Sequence, residues 1–225
     1  MPAGFAPGGK ARIVSLYGVD INGNKTLRDT FMGWGLNNND TNLTNYRDVL
    51  TTDNAGSTST GSNQWGYLPS DNFNGSQSFI DSKAYYFIDN YTPFTPSLYL
   101  EDEPNPEYYS GNKALCDFNG LSNTQTLVSL GSEYEAANAC WNYKDDYSNL
   151  QWYLPAAGEL GYLIIRYNKI NNSLNKLNSI LISEFAFWSS TETNDYYAYR
   201  LDTATGYIDC FNKSNNYNVR PFATI

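Results

Sequence analysis

The chain has no histidine among its 225 residues. Without an imidazole, the usual Ser-His and Cys-His routes to an activated nucleophile are closed. Cysteine is nearly as scarce: Cys116, Cys140 and Cys210 cannot all pair within one chain, and none stands in Cys-x-x-Cys spacing. With histidine also missing, the common zinc patterns are gone, so neither a metal nor a cofactor is expected. Cys140 reads as a small core residue on a helix, Cys116 as similar, and Cys210 as a by-product of local composition. No phosphate-binding glycine loop, dinucleotide fingerprint or Gly-x-Ser-x-Gly elbow occurs. Carboxylate-only hydrolysis has 23 acidic residues to draw on, but the sequence pairs none of them, and no catalytic residue is assigned.

Positive charge is sparse as well. Fourteen Lys and Arg face 23 Asp and Glu for a net charge of −9, and the basic residues form no cluster. Binding to a nucleic-acid backbone or to an anionic membrane is therefore not expected. No apolar run of membrane-spanning length occurs, so no membrane insertion is expected. Residues 1–10 are rich in Pro, Gly and Ala and lack the apolar stretch of a signal peptide, which fits cytosolic synthesis or a leader already removed.

What is present is neutral and aromatic. Hydrophobic residues make up 41% of the chain, enough for a folded core, while charged residues make up only 16%, so solubility must rest on Asn, Ser, Thr and Tyr. Tyrosine occurs 20 times against 11 Phe and 5 Trp. A ring with a polar tip suits recognition surfaces, and it equally suits half-buried strand positions.

Along the chain, Ala11–Val19 alternates as an opening strand and is followed by a turn at Asn22-Gly23. Asp20 to Asn24 superficially resembles a calcium loop, but its glycine is misplaced and no Glu closes it, so it reads as a turn. Asn37 to Ser78 is dominated by Asn, Thr, Ser, Gly and Asp and reads as long loops. Short strands are expected at Tyr85–Ile88 and Ser97–Leu100, then an acidic connector from Glu101 to Pro106. Ser122 with Gln125, and Ser132 with Glu135, have capping-box spacing ahead of apolar residues, which predicts one broken helix or two short ones. A further helix starts at Pro155 and carries Leu160, Leu163, Ile164, Tyr167, Leu174 and Leu177 on one face. Strands follow at Phe185–Trp188, Tyr196–Leu201, Tyr207–Phe211 and Val219–Phe222. Helices followed by short antiparallel strands make an α+β fold.

Three anchors occur in order: Trp152-Tyr153-Leu154-Pro155-Ala156-Ala157-Gly158-Glu159-Leu160, then Trp188-Ser189-Ser190-Thr191-Glu192, then Val219-Arg220-Pro221-Phe222. Together they resemble the bacterial and phage domains with W-x-L-P-x-x-x-E-L, W-S-S-T-E and V-R-P signatures, which belong to the C-type lectin fold. The resemblance covers residues 112–225. It implies a C-type lectin-like core with two helices on short antiparallel strands. Residues 1–111 either form a separate mounting domain or supply the first strand plus a loop-rich elaboration of one domain, and the strand at Ala11–Val19 with no clean linker after it favours the one domain. Ala156 stands where the family more often has Ser or Thr, which removes a helix cap at a cost of about 1 kcal/mol. Trp152, Leu154, Pro155, Glu159, Trp188, Glu192 and Arg220 read as structural anchors, with Arg220 and Glu192 partnering each other or loop carbonyls.

Between the second and third anchors, Asn, Asp, Tyr and Ser make up just over half of Thr193–Asn218. In this setting the segment resembles the variable region of target proteins of diversity-generating retroelements. In that family, adenines of AAY-type codons are randomised during reverse transcription, reaching Asn, Asp, Tyr and Ser among others but not Lys, Glu, Gln, Met or Trp. Only Lys213 lies outside the reachable set, which marks it as a fixed position. The ligand-contact residues so implied are Asn194, Asp195, Tyr196, Tyr197, Tyr199, Arg200, Tyr207, Asp209, Phe211, Asn212, Ser214, Asn215, Asn216 and Tyr217. On this reading Tyr196, Tyr197, Tyr199, Tyr207 and Tyr217 cluster on one exposed face, as stiff aromatic contacts among adaptable hydrogen-bonding groups.

The function implied is a non-enzymatic adhesin or receptor-binding protein on a phage particle or bacterial surface. Its partner is a protein or glycan ligand on a cell surface, and the calcium-dependent sugar motifs of animal C-type lectins are absent. Two alternatives stand beside it. One is a structural or fimbrial surface module of the same fold. The other is a relative of the formylglycine-generating oxidases, which need a cysteine pair that these scattered cysteines do not form.

Overall fold

The computed structural model describes residues 11–38, 41, 43, 64–67, 117–146, 148–183, 185–203 and 207–225. The strands expected at 85–88 and 97–100, the 101–106 connector and Cys116 lie outside them, as do the side chains of 64–67, 164–165 and 207–209.

The described architecture is α+β. Eleven strands are described: β1 Arg12–Val14, β2 Gly18–Val19, β3 Lys25–Thr26, β4 Thr30–Gly33, β5 Gln64–Tyr67, β6 Trp152–Tyr153, β7 Ala186–Glu192, β8 Tyr197–Asp202, β9 Tyr207–Asn212, β10 Asn216–Val219 and β11 Phe222–Thr224. Four helices accompany them: α1 Gly120–Leu130, α2 Glu135–Asn142, α3 Ala157–Ile165 and α4 Tyr167–Lys176. The main sheet has the order β4-β10-β7-β8-β9-β5, and a smaller sheet has the order β1-β11-β6. Strands from the first third of the chain thus pair with the last: Ile13 faces Ala223, Met32 faces Tyr217 and Gln64 faces Asp209.

The centre of the main sheet, at β7, is buried on both faces, and neighbouring residues divide between two cores. Phe187, Tyr199, Leu201 and Cys210 pack with Leu160, Leu163, Tyr167 and Leu174 of α3 and α4. Trp188 and Ala198, one position away, pack with Trp34, Leu127, Tyr134 and Cys140 on the side of α1 and α2. Period-two alternation of side chains along a strand produces this division. It also explains why every residue of β7 is buried.

Several local expectations are corrected. The opening strand is broken into β1 and β2, and the Asn22-Gly23 turn joins β2 to β3, with Gly23 at φ 85°. Asp20 closes that turn by accepting hydrogen bonds from the backbone N–H groups of Asn22 and Asn24 and from the Asn24 side-chain amide, and the Asn24 amide first of all holds its carboxyl below the usual range. Gln64–Tyr67 forms a strand within the stretch that reads as loop. Neither capping box forms: α1 starts before Ser122 and α2 at Glu135, neither with a side-chain cap. The long helix is two, interrupted at Arg166, and Leu177 is exposed. The strand expected at Val219–Phe222 is the junction of β10 and β11, and β10 runs parallel to β7. Burial in these cases is decided by distant partners, which local periodicity does not register.

The start of α3 shows what the anchors do. The helix begins at Ala157, two residues after Pro155, and no side chain at Ala156 caps it. Instead the Ala157 N–H donates to Thr191 Oγ1 at 2.9 Å, the Gly158 N–H to the Asp117 carbonyl at 3.0 Å, and the Ala156 N–H to Glu159 Oε2 at 2.9 Å. The cap missing from the local sequence comes from the second anchor, 34 residues on. Thr191 in turn donates to Asp117 Oδ2 at 2.7 Å. Thr191→Val should therefore destabilise the protein by about 1–3 kcal/mol in urea unfolding, because it strands the buried Ala157 N–H and takes one donor from Asp117 Oδ2, which keeps Asn123 Nδ2, while conserving shape. An unchanged midpoint would remove this account of the motif.

Glu159 completes the joint. Its Oε1 accepts from Arg12 Nε of β1 at 2.6 Å and from the Tyr153 hydroxyl of β6 at 3.0 Å. Burial pushes the Glu159 carboxyl above its ordinary range, against the opposing pull of Arg12 and the Ala156 N–H.

Candidate ligand-contact surface

The segment between the second and third anchors forms β8, β9 and the turns at their ends. The β7–β8 turn is built by Asn194, whose Oδ1 accepts from the N–H groups of Tyr196 at 2.9 Å and Tyr197 at 3.0 Å. Such Asx turns offer the backbone a local partner where the ladder stops. The β9–β10 turn is built the same way by Asn212, whose Oδ1 accepts from Ser214 N at 3.0 Å and from Ser214 Oγ at 2.6 Å. The register partner of Tyr197 is Asn212, so the two turns lie side by side at one end of the sheet.

Beneath them sits a buried ion pair. Lys213 Nζ donates to Glu192 Oε1, and both side chains are fully buried. Thr41 Oγ1 donates to the other Glu192 oxygen at 2.7 Å, and the Lys213 ammonium stands 4.8 Å from the centre of the Trp34 ring. The Lys213 backbone is held too: its N–H donates to the Tyr196 carbonyl at 2.9 Å, and its carbonyl accepts from Trp34 N at 2.9 Å. A charge this deep persists only with its partners in place. The one residue of the segment outside the AAY-reachable set is thus a mount for both turns.

The expectation that Arg220 and Glu192 partner each other is corrected. Arg220 Nε donates to Asp29 Oδ1 at 2.7 Å, and its Nη1 and Nη2 donate to the carbonyls of Ser15 at 3.0 Å and Leu181 at 2.9 Å. Its contacts with loop carbonyls are as expected; its acid partner is Asp29. Trp152, Leu154, Pro155 and Trp188 are buried, with Trp188 Nε1 donating to the Met32 carbonyl at 3.1 Å.

The candidate contact residues divide by exposure. Tyr196, Ser214, Asn215 and Asn216 are exposed at the two turns, and Asp195 and Asn212 are half-buried beside them. Tyr199 is fully buried in the core against α3 and α4, and Asn194 is buried while closing its turn. Tyr197 packs from the same side as Tyr199, whereas Tyr217 packs from the other, 4.8 Å from Trp188. The five tyrosines therefore do not form one exposed face: strand alternation sends Tyr197 and Tyr199 to one side and Tyr217 to the other. The side chains of Tyr207 and Asp209 lie outside the described residues. Arg200 lies over the rings of Phe211 at 3.7 Å and Tyr217 at 4.3 Å, a half-buried cation–π stack on the sheet.

Sequence reasoning missed Trp34, Thr41 and Asp29. Trp34 Nε1 donates to the Ser189 carbonyl across 155 positions, and Asp29 meets Arg220 across 191, so no local spacing could point to either. Among the described residues no three acidic or cysteine side chains come together as a cation site, and no helix is long and apolar enough to cross a membrane.

No protein-family model matches the chain, and no curated protein matches it. A solved structure of a fimbrial protein from Bacteroides ovatus ATCC 8483 is similar to it at a TM-score of 0.41 and 23% identity, over 73% of this chain and 34% of that one. The chain thus spans about a third of that protein's length.

Proposed function

We propose that the chain is a non-enzymatic binding protein with a C-type lectin-like fold, diversified by a retroelement within 193–218, whose contact surface is the rim made by the 194–197 and 212–216 turns. One observation carries the reading: Tyr196, Ser214, Asn215 and Asn216 are exposed at that rim, while Lys213, which AAY randomisation cannot reach, is buried beneath it. The exposed side chains there can change without altering the core, because the turns are held by backbone bonds, by the Glu192–Lys213 pair and by the Asn194 and Asn212 side chains. The ligand is a protein or glycan on a cell surface, met from a phage particle or a bacterial surface, with no part for nucleic acid or membrane insertion. Against a thiol enzyme, Cys140 is buried, which pushes its thiol well up from the ordinary range, and Cys210 is buried in β9.

A second reading, a structural surface module, draws on the burial of Tyr199 and the half-burial of Tyr197 and Tyr217, which an ordinary tyrosine-rich sheet also explains. Sequencing the 3′ end of the gene and its downstream flank across isolates separates the two. Diversification predicts substitutions at Asp195, Tyr196, Ser214, Asn215 and Asn216, constancy at Lys213, and an adenine-bearing template with a reverse transcriptase nearby. An invariant tail without a template would favour the module.

A further inference from the structure

We propose that the contact surface is composite: the loop 34–38, outside the diversified segment, forms a constant part of it, and the surface takes a polypeptide that presents an apolar side chain flanked by hydrogen-bond donors. This rests on the rim reading above and extends it.

The loop is fastened to the 212–216 turn. Trp34 N and Gly35 N donate to the Lys213 carbonyl at 2.9 and 3.3 Å, and Asn37 Nδ2 reaches Ser214 Oγ at 3.5 Å. Its path is fixed from below, since a Cβ on Gly35 would stand 2.5 Å from Tyr134 Cδ1. Beyond that fastening the loop turns outward. Asn38 takes a left-handed conformation at φ 61°, which Asn tolerates better than most residues, and Leu36 is 50% exposed. The rim accordingly offers two large exposed side chains, Leu36 and Tyr196.

Its polar groups lean toward acceptance. Asn37 Oδ1 is buried without a hydrogen-bond partner among the described residues, and an orphaned buried acceptor costs free energy until something donates to it. Asp195 adds a carboxylate at the rim, whereas Lys213 is buried and paired. A ligand suited to this surface offers N–H or O–H donors and carries no excess negative charge, matching a chain of net charge −9. A polypeptide offers such donors beside an apolar side chain that can sit on Leu36, whereas a sugar ring stacks on aromatic faces and gains little from an aliphatic residue.

The test is to pan a phage-displayed random peptide library against the immobilised full chain, then measure the enriched peptides on Leu36→Asp and Tyr196→Ala. Both side chains are exposed, and a retained thermal midpoint certifies each variant as folded. The expected result is enrichment of peptides with an apolar residue beside donor-bearing ones, and a loss of about tenfold or more on each variant. If binding falls on Tyr196→Ala but persists on Leu36→Asp, the two-turn rim stands and the composite surface is overturned. Indifference to both substitutions overturns both. Failure to enrich any peptide, or glycan-array binding that Leu36→Asp abolishes, overturns the polypeptide ligand.

Discussion

Arg220→Met is expected to destabilise the fold by about 3–5 kcal/mol, the scale of breaking a buried ion pair from one side. The guanidinium is 1% exposed and serves Asp29 and two backbone carbonyls from separate segments, 15 and 181. Methionine fills much of the volume but donates nothing, so it strands the Asp29 carboxylate and both carbonyls. Among the described residues Asp29 then keeps the Ser183 N–H on Oδ2, at 3.0 Å. Urea unfolding followed by tryptophan fluorescence measures the loss. Arg220→Met with Asp29→Leu should recover part of it, since two apolar residues leave no uncompensated charge. A loss below about 1 kcal/mol is the scale of an exposed pair and would contradict the buried geometry.

The second large effect belongs to Lys213→Met, again about 3–5 kcal/mol, because the fully buried Glu192 carboxylate loses its cationic partner while Thr41 still donates to its other oxygen. Here a second readout separates mounting from mere stability. Amide exchange at Tyr196, Tyr197 and Ser214 should quicken well beyond that of α3 and α4, since the pair fastens the rim rather than the helices. Adding Glu192→Gln should restore part of the stability by removing the stranded charge while keeping an acceptor for Thr41. Uniform acceleration across the chain would instead make Lys213 an ordinary core residue.

These two sites show where sequence reading reached and where it stopped. Trp152, Leu154, Trp188 and Arg220 are legible as anchors through their places in the W-x-L-P-x-x-x-E-L, W-S-S-T-E and V-R-P motifs, and all are buried. Lys213 stands apart in the segment because AAY randomisation would not reach it. That it pairs with Glu192, while Arg220 takes Asp29, is not legible, because a charge chooses among partners by three-dimensional proximity. The missing cap at Ala156 is read correctly from the local sequence; that Thr191 Oγ1 supplies it depends on β7 passing the start of α3.

The tyrosines show the same limit. Their abundance in 193–218 is a fact of composition, but composition does not say which way a strand faces. A shift of one residue in the entry to β8 would exchange Tyr199 for its neighbours in the core against α3 and α4. The turn closed by Asn194 and the β8–β9 pairing set that register, and with it bury Tyr199. The sequence by itself determined the α+β class and the core anchors, because burial of rings, helix periodicity and residue chemistry act locally. Only the tertiary structure decided which tyrosines face solvent, which charges pair, and that the 34–38 loop joins the rim, because those outcomes depend on contacts between segments far apart in the chain.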